Sequence, residues 1–360
     1  MQYTSSRDFC HLLISRVNKS WKDLESFEAS TTLTDKFWRG MNIVLIPSTV
    51  YSVYALATGA VLVPQIVCCI CIALAVRKIV STLIGYVVYP ATVMFSKNSC
   101  NQTETPEIAQ LERKGYIVKK IPLTKGGTTY DARLIAHSST VDNGKWSMHA
   151  FGNGMCMEQV LFEVAEANSY IGCNTLLING PAVGFSGGFP TRYQFGAGYE
   201  AGLQLLEKEV KATHIIFKGL SLGGGMISEG VLQHDFTEGL INNVKYLAVS
   251  DRSFSYLSEA AGAMVGRAVK PIFYLTGTEL DGLGAARKLD ELKIKQIVIQ
   301  NEGVWETDGV IPNSAGMAAP LRKDSKHKSF VLSPQIAHNG PLPGELQIDL
   351  GHQLTEFLKL

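Results

Sequence analysis

The sequence predicts an α/β fold, in which a mostly parallel sheet is covered by helices on both faces, with a hydrophobic helical hairpin ahead of it. From residue 110 onward, short apolar segments alternate with helical patterns, as they do when parallel strands are joined by helices. Before that point, residues 41–96 carry only two charged side chains, those of Arg77 and Lys78. These two observations separate an apolar N-terminal part from an α/β part.

The α/β part begins with two segments, residues 116–123 and 128–136, that we predict as antiparallel strands joined at Gly126 and Gly127. The further predicted strands are residues 145–150, 174–179, 215–217, 244–250, 296–300 and 329–333. Helical patterns cover the intervening residues 158–168 and 200–210. Each predicted strand is short and apolar, which favours strands buried within a sheet.

Composition excludes several classes of function. The net charge of +1, without a basic tract, argues against nucleic acid binding. The seven cysteines are odd in number, and we expect no disulfide framework, no metal site and a reducing compartment. No G-K-[ST] sequence follows the glycine run 223–225, so a phosphate-binding loop is not expected, and no cofactor is implied.

The N-terminal part contains an apolar stripe at three- and four-residue steps, which predicts an amphipathic helix from Phe9 to Phe27. A polar stretch then separates the apolar residues from the α/β part and is predicted to be a linker. We therefore divide the chain into an N-terminal helix region, a hydrophobic hairpin, a linker and an α/β domain, at residues 1–40, 41–96, 97–109 and 110–360.

The hairpin is predicted to have helical arms at residues 43–63 and 65–88, with its turn at Pro64. The uncharged run is too long for one membrane crossing, so we expect the hairpin to cross the bilayer or to dip into one leaflet. Basic residues flank both ends, which places both on the cytosolic side. Arg77 and Lys78 argue against this, and packing of the two helices on the α/β domain is the alternative.

A glycine-rich stretch in the α/β part carries the pattern of a catalytic serine. Residues 219–223 (GLSLG) follow a short apolar strand and precede a helix of small residues. A serine on such a tight turn needs small residues two positions before and after it, because larger side chains would collide with the turn. The pattern predicts a nucleophile elbow, with Ser221 as the nucleophile.

The order of parts over residues 110–360 resembles the α/β-hydrolase fold. Residues 151–154 (FGNG) resemble the loop that supplies an oxyanion N–H, residues 179–188 resemble the loop after the fourth strand, and residues 307–312 (TDGVIP) resemble the loop that holds the acidic member of the triad. The resemblance implies a triad in the order serine, acid, histidine. It also implies an oxyanion hole from the backbone N–H groups of Leu222 and Asn153, or of Gly154 if the loop is shifted by one residue.

A narrower resemblance comes from residues 250–254 (SDRSF), which resemble a turn in membrane-tethered serine hydrolases. With the hydrophobic hairpin ahead of the hydrolase, the chain is similar to the CHLPS-type proteins of chlamydiae and the Sdb-type effectors of Legionella. This resemblance implies a bacterial effector that acts in a host cell, at a membrane, with its catalytic domain in the cytosol.

Three aspartates compete for the role of the triad acid. Asp308 follows the strand at residues 297–299, and a carboxylate beyond the end of a strand can reach the base. Asp281 lies in a helical pattern with no strand leading into it, and Asp251 beside Arg252 is typical of a structural ion pair. We therefore predict Asp308.

Three histidines follow Asp308 in the chain and compete for the role of the base. His338 follows the last predicted strand, His327 precedes that strand, and His352 lies in the C-terminal helix. We predict His338, because the fold places its base in the loop after the last strand. His149 and His214 lie on predicted strands and read as core histidines.

Together these features predict a membrane-associated serine hydrolase that cleaves an ester or thioester in a lipid or in a lipidated or acylated protein. The triad would work through an acyl-enzyme intermediate. The alternative is an α/β-hydrolase scaffold that has lost activity and serves as a membrane-docked binding or effector protein.

Overall fold

Nine strands form one mixed sheet in the computed structural model, which describes residues 20–32, 62–302, 307–322 and 328–360. The strands are β1 Phe27–Glu28, β2 Tyr116–Lys125, β3 Thr128–His137, β4 Lys145–Ala150, β5 Asn174–Ile178, β6 His214–Leu220, β7 Lys245–Asp251, β8 Lys295–Asn301 and β9 Lys328–Ser333. Their order across the sheet is β1-β2-β3-β5-β4-β6-β7-β8-β9. The β2–β3 and β3–β5 pairs are antiparallel and the others are parallel.

Helices connect the strands and cover both faces of the sheet. They are α1 Leu62–Val88, α2 Ala91–Met94, α3 Lys97–Arg113, α4 Leu161–Tyr170, α5 Arg192–Lys208, α6 Leu222–Gln233, α7 Thr237–Ile241, α8 Leu257–Val265, α9 Lys270–Thr276, α10 Gly282–Glu291, α11 Ala318–Leu321 and α12 Gly344–Phe357. In β6, Ile215 and Phe217 pack into one core cluster and Ile216 into another with Leu350 of α12. Successive residues of a strand face opposite sides, so both faces of the sheet are buried.

The predicted α/β fold is confirmed, and the predicted strands agree with the observed ones to within a few residues. Helix α5 begins at Arg192, eight residues earlier than predicted. Its first half contains Gly196, Gly198 and Gly202, which weaken a helical pattern. Glycine serves here for close packing, because a β-carbon at Gly202 would lie 2.6 Å from the Ile178 side chain.

The predicted amphipathic helix does not extend to Phe27. Trp21–Asp23 forms a single 3₁₀ turn and Phe27–Glu28 pairs with β2, while residues 1–19 lie outside the described part of the chain. Trp21 packs edge-to-face on Trp146 of β4, with ring centroids 5.3 Å apart. The apolar residues of this segment are therefore fixed by the sheet rather than by a helix.

The second arm of the predicted hairpin is α1, which starts at Leu62, so Pro64 lies in its first turn and not in a loop. Proline is tolerated there because the first N–H groups of a helix have no partner within the helix. The first arm, residues 43–63, lies outside the described residues except for its last two, which belong to α1.

The predicted linker at residues 97–109 is helical, as part of α3. The Ser96 side chain accepts a hydrogen bond from the N–H of Ser99 and caps this helix. Cys100 and Leu111 are buried in the core, and Glu104 forms an ion pair with the buried Arg133 of β3. These tertiary contacts outweigh the cost in helix stability of the interior proline, Pro106. They make α3 part of the α/β domain.

Candidate active site

Ser221 lies on the turn between β6 and α6, at φ 53° and ψ −120°. A residue other than glycine is strained at this φ, which is typical of a nucleophile elbow. The flanking glycines are required by space: a β-carbon at Gly219 would lie 2.5 Å from the Cα atom of Gly224, and one at Gly223 would overlap the carbonyl oxygen of Ala150. The sequence pattern and the observed turn therefore agree.

Two hydrogen bonds connect three buried side chains from distant parts of the chain. The Nε2 atom of His338 lies 2.8 Å from Oγ of Ser221, and its Nδ1 atom lies 2.8 Å from Oδ2 of Asp308. With the proton on Nδ1 donated to the carboxylate, Nε2 accepts the hydroxyl proton of Ser221. This is the arrangement in which an imidazole can act as a general base.

The Asp308 carboxylate is held as an anion. Its Oδ1 atom accepts hydrogen bonds from the N–H groups of Val310 at 3.0 Å and Ile311 at 2.8 Å. Burial raises the pKa of Asp308, but the hydrogen bonds from His338 and from these two N–H groups outweigh it and hold the pKa below its usual range. The carboxylate therefore stays ionised at neutral pH and orients the His338 ring.

Hydrogen bonds fix the backbone of the loop that carries His338, both before and after this residue. The N–H of His338 donates to the Asp308 carbonyl oxygen at 2.8 Å. The guanidinium of Arg252 donates from Nη1 to the carbonyl oxygens of Ala337 at 2.7 Å and Gly340 at 2.6 Å. These bonds hold the backbone around His338 and so position its imidazole, although none of them involves an atom of the ring.

The turn after β7 also holds the elbow. The N–H of Ser221 donates to the Asp251 carbonyl oxygen at 2.8 Å, and the Ser253 hydroxyl donates to the Ser221 carbonyl oxygen at 2.8 Å. Asp251 and its neighbours thus connect the serine turn to the histidine loop. We did not predict these roles for Arg252 and Ser253, although the SDRSF pattern marked the segment.

The rival acids occupy other roles. Asp251 forms ion pairs with Nε of Arg252 at 2.8 Å and Nζ of Lys218 at 3.3 Å. Burial raises its pKa, but Lys218 and Arg252 outweigh burial and lower it. Asp281 caps α10, where its Oδ1 accepts the Gly284 N–H at 2.6 Å.

The other histidines that the structure describes form no hydrogen bond with the hydroxyl of Ser221. His352 is exposed on α12, and His327 is outside the described residues. The His149 ring lies 2.8 Å from the Ser147 hydroxyl and 2.9 Å from the Asn168 amide, and burial and the charge of Lys218 lower its pKa to about 3. His214 packs edge-to-face on Phe357. Both side chains are half-buried and not part of the core, and neither bonds to Ser221 or Asp308.

The loop after β4 passes next to the elbow. A β-carbon at Gly152 would lie 3.6 Å from the β-carbon of Ser221, and Leu222 is the first residue of α6. Within the described part of the chain, the N–H groups of Leu222, Asn153 and Gly154 have no hydrogen-bond acceptor. The structure therefore places the loop that carries Asn153 and Gly154 next to the turn that carries Ser221 and Leu222.

An apolar surface adjoins this loop. The outward side chains of α1 and α2 form what we call the apolar face, made of Ile70, Val76, Ile79, Leu83, Val87, Val93 and Met94, all of them exposed. A β-carbon at Gly154 would lie 3.8 Å from the sulfur of Met94, so the face reaches the loop of the predicted oxyanion hole. Helix α9 packs against α1 and adds exposed Ile272, Tyr274 and Leu275.

Within the described residues, α1 is the one helix whose length and composition would allow it to cross a membrane. Its segment Cys69–Val88 has a mean hydropathy of 1.8, and 11% of it is buried. On its inner side, Ser81 and Gly85 are buried, and Gly85 packs so closely on the backbone of Pro190 that no β-carbon would fit. Helix α1 therefore has one face on the α/β domain and one face open.

Comparison with protein families gives one match, to the family described as "Chlamydia CHLPS protein (DUF818)", over residues 41–358. The chain belongs to this family. The match covers the predicted hairpin region and the α/β domain together, so the family includes both parts. No curated protein matches the sequence at a significant level.

Solved structures show the same fold. An esterase of Pyrococcus furiosus is 16% identical, with a TM-score of 0.50 over 70% of this chain and 92% of that chain. An α/β-hydrolase of Vibrio vulnificus is 14% identical, with a TM-score of 0.54 over 71% of this chain and 85% of that chain. At these identities the likeness shows the α/β-hydrolase fold.

Proposed function

We propose that this protein is a membrane-associated serine hydrolase that cleaves an ester or thioester in a lipid or in a lipidated protein. The observation that carries the proposal is the continuous hydrogen-bonded series from Ser221 through His338 to Asp308, with both joining distances at 2.8 Å. A serine hydroxyl is a poor nucleophile until a base removes its proton, and this geometry provides an oriented base.

The reaction proceeds in two halves. The Oγ atom of Ser221 attacks the carbonyl carbon while Nε2 of His338 takes the hydroxyl proton, and the N–H groups of Leu222 and of Asn153 or Gly154 stabilise the oxyanion. The protonated His338 then gives its proton to the leaving alcohol or thiol, which leaves an acyl ester on Ser221. Water then attacks the acyl carbon while the same imidazole takes its proton, and this proton passes to Oγ of Ser221 as the acid leaves. Loss of one oxyanion donor costs about 2.7–4 kcal/mol in the barrier.

The apolar face supports a substrate held in a membrane. Its residues form an exposed apolar surface larger than single scattered side chains, and such surfaces mark contacts with membranes or partners. Met94 places this surface next to the loop at Gly154. A carbonyl group at the bilayer surface would then lie near Ser221 when the face contacts lipid.

Shallow insertion into one leaflet fits α1 better than a full crossing. Its inner side, at Ser81 and Gly85, is covered by the α/β domain, so lipid cannot surround this half of the helix. The Arg77 guanidinium lies 2.5 Å from the position of a β-carbon on Gly277, at the C-terminal end of α9. A cation is favourable at that end of a helix, which reduces the cost of a charge in an apolar segment.

The proposed location is the cytosolic side of a membrane. The five cysteines that the structure describes, at positions 69, 71, 100, 156 and 173, are free thiols, as expected in a reducing compartment. With the resemblance to chlamydial and Legionella proteins, this supports delivery of the protein into a host cell as an effector.

The proposal is tested by esterase assays on the full chain. Purified protein should hydrolyse a soluble p-nitrophenyl ester of a short acid, and Ser221→Ala should reduce the rate to background. Ser228→Ala is the matched control, since this serine lies two turns further along α6 and bonds only to the Gly224 carbonyl oxygen. Equal rates in wild type and Ser221→Ala would contradict the proposal.

A further inference from the structure

A second cluster of reactive groups lies where the N-terminal helices meet the α/β domain, apart from the triad. Cys100 on α3, Cys156 and Glu158 each offer one ligand atom, and these atoms lie within 4.8 Å of one another. All three residues are buried. The two cysteines are 56 positions apart in the sequence, so no short ligand spacing marked the site.

The Glu158 carboxylate has no cationic partner in the described part of the chain. Its two oxygens accept hydrogen bonds from the Asn179 amide at 2.9 Å and 3.0 Å, and the side chain is fully buried. A buried carboxylate is costly unless it is paired with a cation or coordinates a metal. The nearest chemical groups that could share a metal with it are the two thiols.

Gly184 lies directly against the sulfur of Cys100. A β-carbon at Gly184 would lie 2.9 Å from the sulfur of Cys100, and Gly184 has a φ of 57°. Burial raises the pKa of the Cys100 thiol to about 12, and the charge of Glu158 adds to the effect. A bound divalent cation would reverse this, because a coordinating thiol is deprotonated by the charge of the metal.

We propose that Cys100, Cys156 and Glu158 bind a zinc ion. Thiolates and carboxylates are both zinc ligands, and three protein ligands leave the fourth tetrahedral position to a water molecule. Zn–S bonds of about 2.3 Å in such a site place the two sulfur atoms about 3.8 Å apart. This separation agrees with the observed spread of the ligand atoms. Binding releases the two thiol protons to solvent, and the Glu158 carboxylate is the third protein ligand.

The site fastens the N-terminal helices to the loop beside Ser221. Cys100 belongs to α3, while Cys156 lies two residues after Gly154 and caps the 3₁₀ helix Met157–Gln159. Tyr89, between α1 and α2, has its pKa raised by burial and by the charges of Cys156 and Glu158, so it lies beside the same cluster. The zinc ion would therefore connect α3, which follows the helices of the apolar face, to the loop of the proposed oxyanion hole.

The experiment measures metal in the full chain. Protein purified under reducing conditions with Zn²⁺ supplied, and then desalted, should contain one zinc ion per chain by elemental analysis. Replacement by Co²⁺ should give the near-ultraviolet charge-transfer absorption of a thiolate ligand. Cys100→Ser and Cys156→Ser should each lose this absorption, while Cys173→Ser, a buried thiol elsewhere in the core, should keep it.

Two results would overturn the proposal. One is a folded, reduced wild-type protein that takes up neither Zn²⁺ nor Co²⁺. This result is obtained on the wild-type protein, so it does not depend on whether the variants fold. The other is a disulfide between Cys100 and Cys156, detected by mass spectrometry after alkylation without reduction. Because the readout is bound metal and not ester hydrolysis, failure here leaves the proposed catalytic role of Ser221 untouched.

Discussion

The triad and helix α1 differ in how their positions are fixed. Ser221, Asp308 and His338 are buried and joined by directional hydrogen bonds, and Arg252 and Ser253 hold the turns that carry them. Helix α1 packs on the α/β domain through Ser81 and Gly85 and against α9, and it leaves most of its apolar side chains exposed. The triad is thus fixed by bonds within the chain, whereas much of the surface of α1 has no packing partner in the described part of the chain.

This difference separates the two parts of the proposed function. Hydrogen bonds in a buried site are sensitive to the loss of a single atom, because an unpaired buried group keeps its full desolvation cost. Apolar burial is non-directional and scales with area. Substitutions in the triad should therefore abolish chemistry on every substrate, while substitutions on the apolar face should affect only substrates in membranes.

The largest expected effect is on the triad. Asp308→Asn should reduce kcat for a soluble ester by about 10⁴-fold, because the imidazole loses its orientation, and His338→Ala by about 10⁶-fold, because the base is absent. Combining either with Ser221→Ala should cost little more, since triad residues act as a unit. The measurement is steady-state kinetics on the three single and two double variants.

Retention of activity in Asp308→Asn would contradict the assignment and would return Asp251 and Asp281 to consideration. Circular dichroism and thermal unfolding of each variant provide the control for folding.

The next effect is on the elbow. Gly223→Ala should destabilise the protein by about 1–3 kcal/mol or more and abolish hydrolysis, because its β-carbon meets the Ala150 carbonyl oxygen. Gly351→Ala on α12 is the control, since its β-carbon would meet nothing within 4 Å, and it should stabilise by about 0.5–1 kcal/mol. Urea unfolding measures both, and equal stability of the two variants would show that the elbow is not as tightly packed as described.

A smaller effect is expected at the turn that holds the histidine loop. Arg252→Lys keeps the charge beside Asp251 but loses the two bonds to the carbonyl oxygens of Ala337 and Gly340. Bonds to charged groups contribute about 1.5–3 kcal/mol each, so kcat should fall about 10- to 100-fold with KM unchanged. Arg192→Lys, at an ion pair with Glu229, is the control.

A purely structural role for Arg252 would lower the unfolding temperature and leave kcat per folded molecule unchanged. That outcome would remove Arg252 from the positioning of His338.

The smallest effect on chemistry is expected from the apolar face. Leu83→Glu with Val87→Glu should abolish flotation of the full chain with vesicles of anionic and neutral phospholipids, because each charge must stay in water. Hydrolysis of a soluble ester should be unchanged, since both side chains are exposed on the outer side of α1. Asn101→Glu with Gln102→Glu, at two exposed positions of α3, adds the same two negative charges and provides a control for the change of surface charge.

Vesicle binding that survives the two glutamates would show that the apolar face does not contact lipid. Loss of soluble esterase activity would instead show that α1 supports the fold of the active site.

The contrast also explains what the sequence could predict. The elbow, the acid loop and the order of the strands are local patterns, so Ser221, Asp308 and His338 could be named from the chain alone. The helix at residues 97–113 could not, because its polar sequence and Pro106 favour a loop and its partners, such as Arg133 for Glu104, are distant in the chain. Trp21 and Phe27 were assigned to a helix because periodicity does not show that β1 pairs with β2.

The roles of Arg252 and Ser253 were missed for a related reason. Their partners are main-chain atoms of residues 221, 337 and 340, and no residue type in the sequence identifies a carbonyl oxygen as an acceptor. The cluster at Cys100 and Cys156 was missed for the same reason, because only the fold brings these two distant cysteines to one carboxylate.

The most direct test of the central claim is labelling of the full chain with a fluorophosphonate probe, followed by peptide mass spectrometry. The account predicts one covalent adduct per chain on the Oγ atom of Ser221, absent from Ser221→Ala, much slower in His338→Ala and unchanged in Ser228→Ala. An unlabelled but folded wild-type protein would indicate an inactive scaffold. An adduct on another serine, or equal labelling of Ser221→Ala, would contradict the assignment of Ser221 as the nucleophile.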